Sequence, residues 1–256
     1  MSSLRIEQIP VLRDNYIYLA RDDSGEACAA IDPAAASPVL AALDRLGWTL
    51  THILNTHHHH DHVGGNLELK RATGCAIVGN RVDAQRIPGI DVAVGDGDEV
   101  SLGAATARVI DVSGHTIGHI AYWFEAADAL FCGDTMFSLG CGRLFEGSPG
   151  QMWASLLRLR GLSPSARVYC AHEYTESNAR FALTIDPDNP ALRRRADEVR
   201  DLRARGLPTV PSTLAQERAT NPFLRADDPA LLAAAGLAGQ SAVAAFAEIR
   251  RRKDVF

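Results

Sequence analysis

Lysine is almost absent from this chain. Lys70 and Lys253 are the only two among 26 lysine and arginine residues, so nearly every cation is an arginine, a bias of composition rather than a functional signal. A basic surplus is missing as well. The net charge of −5 excludes the cationic face that nucleic acid or an anionic membrane would need as a main partner. No apolar run reaches the ~18–20 residues that cross a bilayer. Met1–Glu7 lacks the cationic lead and apolar core of a secretory leader, so a cytoplasmic protein is expected. Cysteines are few and scattered. Cys28, Cys75, Cys132, Cys141 and Cys170 are odd in number and form no CxxC pair, which argues against a disulfide framework or a thiolate zinc site and for buried, reduced thiols.

What is present is ordinary globular material: 256 residues, 46% hydrophobic and 22% charged. Strand signals separated by turns occupy the first ~50 residues, at 5–9, 16–20 and 27–32, with a hairpin turn at Asp22-Asp23-Ser24-Gly25. Helices are expected over 38–46, closed by Gly47, and over 66–73, closed by Gly74. Short strands follow at 75–78, 99–102, 107–112, 120–124 and 129–132, then a helix at 151–160 and a strand at 168–171. Beyond His172 the pattern becomes helical, at 178–183, 190–205, 229–232 and 240–252, with no strand expected between. This predicts an α/β metal-binding domain over 1–173 and a helical appendage over 174–256.

The densest chemical signal is Thr56-His57-His58-His59-His60-Asp61-His62, followed by Val63-Gly64-Gly65. Five of the nine histidines lie here, directly after the strand-like segment 50–55. In extended chain, residues two apart point the same way, so His57 and His59 can face one metal ion. Asp61 and His62 differ in phase and could reach a second. A solvated polar loop is the bland alternative, and a tag would be terminal. Clusters this dense are metal-site signals.

Further candidates sit at later strand ends. In Gly114-His115-Thr116-Ile117-Gly118-His119 either histidine could ligate. Asp134 follows an apolar strand and could bridge two cations, although Gly133-Asp134-Thr135 alone would read as a cap. His172 ends the last strand of the α/β region. Gly140-Cys141-Gly142-Arg143 is a glycine-rich cationic turn that could meet an anion.

Together, His57, His59, Asp61, His62, His115, Asp134 and His172 resemble the ligand set of the metallo-β-lactamase superfamily, over residues ~10–175. That resemblance implies an αββα sandwich of the α/β class, with His57, His59 and His115 on one metal, Asp61, His62 and His172 on the other, and Asp134 bridging. His52, His58, His60 and His119 fall outside the set and read as structural or solvated. The motifs at Asp14-Asn15-Tyr16, 132–137, 140–147, 172–175, 221–225 and 250–254 look like those of the glyoxalase II (hydroxyacylglutathione hydrolase) family. The likeness thus includes a C-terminal helical domain. It implies a thioester hydrolase that cleaves S-D-lactoylglutathione to glutathione and D-lactate through hydroxide held by two divalent ions per chain, zinc first, with iron or manganese as alternatives. Asp61 and Asp134 would be the catalytic carboxylates, and Arg143, Tyr174, Arg250 and Lys253 would hold the glutathione moiety. Against the commonest eukaryotic pattern of the family, Arg143 stands where Lys is frequent and Phe145 where Tyr is frequent, so the hydroxyl that would make one substrate hydrogen bond is lost. A monomer with neither nucleic-acid nor membrane partner is expected. A mono-iron persulfide dioxygenase on the same fold is the nearest alternative. Arg250-x-x-Lys253 together with the helical appendage argues against it. The acidic chain and small helical region argue against a nuclease, and Arg143, Tyr174 and the basic terminus kept together argue against a metal-binding scaffold.

Overall fold

The computed structural model describes residues 4–256, so the leader reading lies partly outside the described residues, at Met1–Ser3. Contacts divide the chain into two compact units, one running to Asp111 and resuming over Ile117–Gly133, the other comprising Val112–Thr116 and Asp134–Phe256.

The first unit opens with a hairpin, β1 (Leu4–Val11) against β2 (Asn15–Asp22), in register from Leu4↔Asp22 to Val11↔Asn15. β3 (Cys28–Ile31) returns antiparallel to β2. From there the sheet turns parallel through β4 (His52–Leu54), β5 (Ala76–Asn80) and β6 (Val92–Val94), in the order β1-β2-β3-β4-β5-β6. Parallel neighbours need crossovers, and helices supply them. α1 (Ala36–Leu46) links β3 to β4. The single-turn α2 (His60–Val63) and α3 (Asn66–Thr73) link β4 to β5. Gly47 and Gly74 close α1 and α3 with left-handed φ of 65° and 73°, the conformation glycine adopts without strain.

The two longer helices cover one face of this sheet. Val39, Leu43 and Leu69 share a buried cluster with Ile17, Leu19, Ile53 and Ile77, each such side chain contributing about 1.5–3 kcal/mol by leaving water. On the other face Tyr18 meets Phe131 at 5.7 Å between ring centroids. Phe131 lies on β10 (Ala129–Gly133), which continues an antiparallel run through β9 (Ile120–Phe124), β8 (Ala105–Asp111) and β7 (Glu99–Leu102). β8 alternates buried and exposed residues, the period of a half-covered strand, whereas β9 is buried throughout.

In the second unit, β11 (Met136–Phe137) and β12 (Gly140–Cys141) form a small hairpin. α4 (Pro149–Arg160) starts on a Ser148–Gln151 capping box with Pro149 at its first position. β13 (Arg167–Cys170) precedes α5 (Thr175–Ile185) and α6 (Pro190–Ala204), whose Ala179, Ala182, Leu192 and Ala196 pack around Leu139. The all-helical expectation beyond 173 is corrected at one point. β14 (Ser212–Thr213) pairs antiparallel with β13, too short to leave any periodic trace. α7 (Leu214–Thr220) follows on a Thr213–Gln216 capping box, then α8 (Pro229–Ala234) and α9 (Ala242–Asp254). Trp153, Phe223 and Phe246 form the aromatic seam where α9 packs on α4.

Candidate active site

Ligand-bearing loops leave the carboxyl ends of the parallel strands, where open α/β sheets gather their functional groups. Asp32 directly follows β3. Thr56 and His57 follow β4. Asp32 has φ 50°, a left-handed conformation that Asp and Asn tolerate better than most residues. Its buried carboxylate accepts from Thr56 N (2.8 Å), from Thr56 Oγ1 (2.7 Å) and from His62 Nδ1 (3.1 Å). A carboxylate can only accept, so His62 carries its proton on Nδ1 and presents the Nε2 lone pair. Thr56 gives its hydroxyl proton to Asp32 and so accepts from His57 Nδ1 at 3.1 Å, which frees the Nε2 lone pair of His57 in turn. One carboxylate thereby fixes the tautomers of two candidate ligands. Gly133, at φ 48°, is the residue that fits beneath this network, because a Cβ there would run into Thr56 Oγ1.

His57 Nε2 and His59 Nδ1 are 3.1 Å apart. Two nitrogens ~2.0–2.1 Å from one tetrahedral ion would stand ~3.3 Å apart, so this pair fits a shared cation. His59 is still extended (φ −61°, ψ 145°), and the chain coils into α2 only after it. His57 and His59, read from sequence as facing one ion, are thus close together, with the His58 ring 5.0 Å from that of His59. Asp61 and His62 are brought round by a helical turn rather than by strand phase, and His60 is left exposed. Asp61 Oδ2 lies 3.5 Å from His62 Nε2 and accepts from Asn15 Nδ2 at 3.0 Å. Asp32, His57 and His62 bring one donor atom each within 4.8 Å of one another. Among the remaining histidines, His119 is buried and stacks on His57 at 4.5 Å, His58 bonds Asp83 at 2.8 Å, and half-buried His52 meets Thr51 Oγ1 at 2.8 Å.

The second unit brings together His115, Asp134 and His172, all buried. Asp134 sets Oδ2 3.5 Å from His115 Nε2 and Oδ1 3.4 Å from His172 Nε2. His115 Nδ1 donates to the Arg143 carbonyl at 2.8 Å, so its Nε2 too carries the lone pair. One carboxylate oxygen of Asp134 thus faces each imidazole.

Beside these groups the same unit holds a cavity of about 790 Å³, lined among others by Arg143, Phe145, Tyr174, Arg180, Arg250 and Lys253. Tyr174 stacks on His172 at 4.7 Å with rings 5° from parallel. Arg250 is almost fully buried. It donates to the Cys141 carbonyl at 2.9 Å, pairs with Asp254 at 2.9 Å and sits over the Phe223 ring. Lys253 Nζ lies over Phe181 and Phe256 and reaches Ser177 O and Oγ at 3.3 Å. Burial, reinforced by Arg250, Arg180 and Arg143, pushes its ammonium pKa down to about 8. Four cations against the lining carboxylates Asp134 and Asp254 make this an anion-seeking pocket.

All four residues assigned from the sequence to glutathione line this cavity. Sequence reasoning missed Arg180 and the orienting partners Asn15 and Asp32. Asn15 stood within a quoted motif. The signal available for Asp32 was its place just past a parallel strand.

Comparison with known proteins gives consistent results. Residues 16–172 match the model of the metallo-beta-lactamase superfamily, and residues 173–256 match that of the hydroxyacylglutathione hydrolase C-terminus. The chain is 63% identical over 253 residues to the hydroxyacylglutathione hydrolase of Methylococcus capsulatus, covering 99% of each. It is 61% identical over 256 residues to that of Rhodospirillum rubrum, covering 100% of each. Among solved structures, ETHE1 from Myxococcus xanthus is similar with a TM-score of 0.71 at 26% identity, over 96% of this chain and 90% of that one. A metallo-beta-lactamase fold bearing such His and Asp clusters indicates a dinuclear metal site.

Proposed function

Because this chain belongs to the hydroxyacylglutathione hydrolase family of the metallo-beta-lactamase superfamily, we propose that it hydrolyses the thioester of S-(2-hydroxyacyl)glutathione, with S-D-lactoylglutathione as substrate. The products are glutathione and a 2-hydroxy acid, here D-lactate, in the second step of methylglyoxal detoxification. The observation that carries this reading is the cationic cavity holding Arg143, Tyr174, Arg250 and Lys253 beside the His115–Asp134–His172 cluster. An anionic thioester is what such a pairing of groups would select.

The ligand assignment is His57, His59 and His115 for one ion, Asp61, His62 and His172 for the other, and Asp134 for both. It is supported by the 3.1 Å spacing of His57 and His59, and by the split reach of the Asp134 oxygens. The nitrogen and carboxylate donors suit zinc first, with iron and manganese as competitors. Two such ions, when bound, acidify water toward pKa ~7 and draw charge from the thioester carbonyl. The protein's own residues do the rest. Asp61, steadied by Asn15, orients the attacking water, and Tyr174, Arg143, Arg250 and Lys253 grip the glutathione. No serine or cysteine nucleophile is required, and Cys141, the cysteine in the cavity, has its thiol pushed up to about 11 by burial.

Functionally we divide the chain at 173, with catalysis before it and glutathione recognition after it, a division supported by the two family descriptions meeting there. Among the described residues no helix is long and apolar enough to cross a membrane. A monomer is the reading we favour, in a reducing cytoplasm, the latter supported by five buried cysteines that form no disulfide. The test is turnover of S-D-lactoylglutathione by purified protein against a simple uncharged thioester. Preference for the glutathione ester supports the proposal, and equal rates on both would refute the recognition half of it.

A further inference from the structure

Asp83 belongs to neither the proposed ligand set nor the substrate cavity, yet its side chain is wholly buried. Three groups of the first unit converge on it. His58 Nδ1 lies 2.8 Å from Oδ2, across 25 residues of chain. Arg86 Nη2 donates to Oδ1. Gly118 packs against the carboxylate so closely that a Cβ there would overlap it. A local ion pair explains only part of this. Arg86 is three residues away with its side chain 42% exposed, and such a pair needs no burial. The bond to His58 and the missing side chain at 118 are long-range features built around the carboxylate.

His58 stands between the two residues whose nitrogens are 3.1 Å apart. The His57 and His59 rings lie 4.7 Å apart, and the His58 ring sits 5.0 Å from His59 and 6.4 Å from His57. His58 meets a buried acceptor in Asp83, which fixes its ring and keeps its proton on Nδ1. Holding the middle residue holds the peptide units on both sides, and with them the directions of the flanking imidazoles.

We infer that Asp83 is a positioning residue for the metal centre: through its hydrogen bond to His58 it keeps His57 and His59 at ligand spacing. The inference rests on the reading of those two histidines as ligands. Partners bonded directly to a metal ligand typically change metal affinity ten- to hundredfold when lost, and Asp83 acts on two ligands from one residue further out, through His58.

The experiment follows metal transfer from the zinc-loaded full-length protein to a colorimetric chelator, alongside thermal melting of the metal-free form. Asp83→Asn and His58→Ala should release zinc about ten- to hundredfold faster than the parent, with metal-free melting essentially unchanged. His58→Asn, which restores a donor near the Nδ1 position, should recover most of the difference. Arg86→Ala should stay within about twofold. Release at the parent rate in both Asp83→Asn and His58→Ala would overturn the inference. So would faster release that tracks lost stability of the metal-free form. His59→Ala separates the two layers. If it keeps full metal at the parent rate, the ligand reading itself fails. If it loses metal while the Asp83 and His58 variants do not, only the positioning role fails.

Discussion

His62 places Nδ1 3.1 Å from Oδ2 of Asp32, a residue held at φ 50° immediately after a parallel strand. The same carboxylate takes the Thr56 hydroxyl proton and, through it, orients His57. A strained backbone position is thus occupied by the one side chain that fixes the tautomers of two proposed ligands.

Replacing Asp32 by Asn keeps the shape but allows the amide to donate where only acceptance is tolerated. Zinc affinity should fall about ten- to hundredfold, and activity with it. Metal titration of Asp32→Asn checks this. Parent affinity in the variant would mean that Asp32 serves only the fold.

Asp134→Ala removes the oxygens set toward His115 and His172. Both ions should be weakened, because two like charges would then face each other without a shared counter-charge. Metal per chain should drop well below two and turnover by orders of magnitude. Two metals per chain with retained turnover would exclude the bridging role.

Within the histidine run, His59→Ala should nearly abolish turnover, whereas His60→Ala should leave it within about twofold, since His60 is exposed on α2. Equal damage from both would contradict the separation of His59 from the exposed His60.

Much of this was legible in sequence because the signals were local. Gly47 and Gly74 ended their helices where expected, and the spacing of His57 and His59 survived into three dimensions. What could not be read were long-range partners. Asn15, Asp32 and Asp83 lie 46, 30 and 25 residues from the side chains they hold, Asp61, His62 and His58. No periodicity links such pairs. The turn of α2 was hidden because three polar residues and a single valine carry no apolar repeat, and α7 because Leu214, within its Thr213–Gln216 capping box, is its one large apolar side chain.

Lys253 makes substrate capture pH-dependent. Its ammonium, held to about 8 first by burial and then by three arginines, loses its charge in the folded protein as pH rises through that value. KM for the glutathione thioester should therefore climb above pH 8, with kcat less affected. Lys253→Arg remains charged and should flatten the profile, and a bend persisting in that variant would assign it to another group. The unfolded chain keeps this proton until ~10.4, so between the two values it binds more protons than the folded one. This residue's contribution to stability accordingly rises with pH across that window.

Arg250→Ala/Lys253→Ala should raise KM roughly ten- to several-hundredfold, at about 1.5–3 kcal/mol for charge-assisted bonds to a carboxylate. Arg250 also anchors the Cys141 carbonyl, so the single Arg250→Ala variant should lose thermal stability as well. Equal loss of activity on an uncharged thioester would show that the pair only braces the fold.

The most direct test of the account combines two readings on one sample of purified protein: thiol released from S-D-lactoylglutathione and metal bound per chain. The account predicts hydrolysis, one thiol per thioester, in proportion to a metal content that saturates at two per chain. Hydrolysis undiminished after complete metal removal, or none with both sites filled, would contradict it.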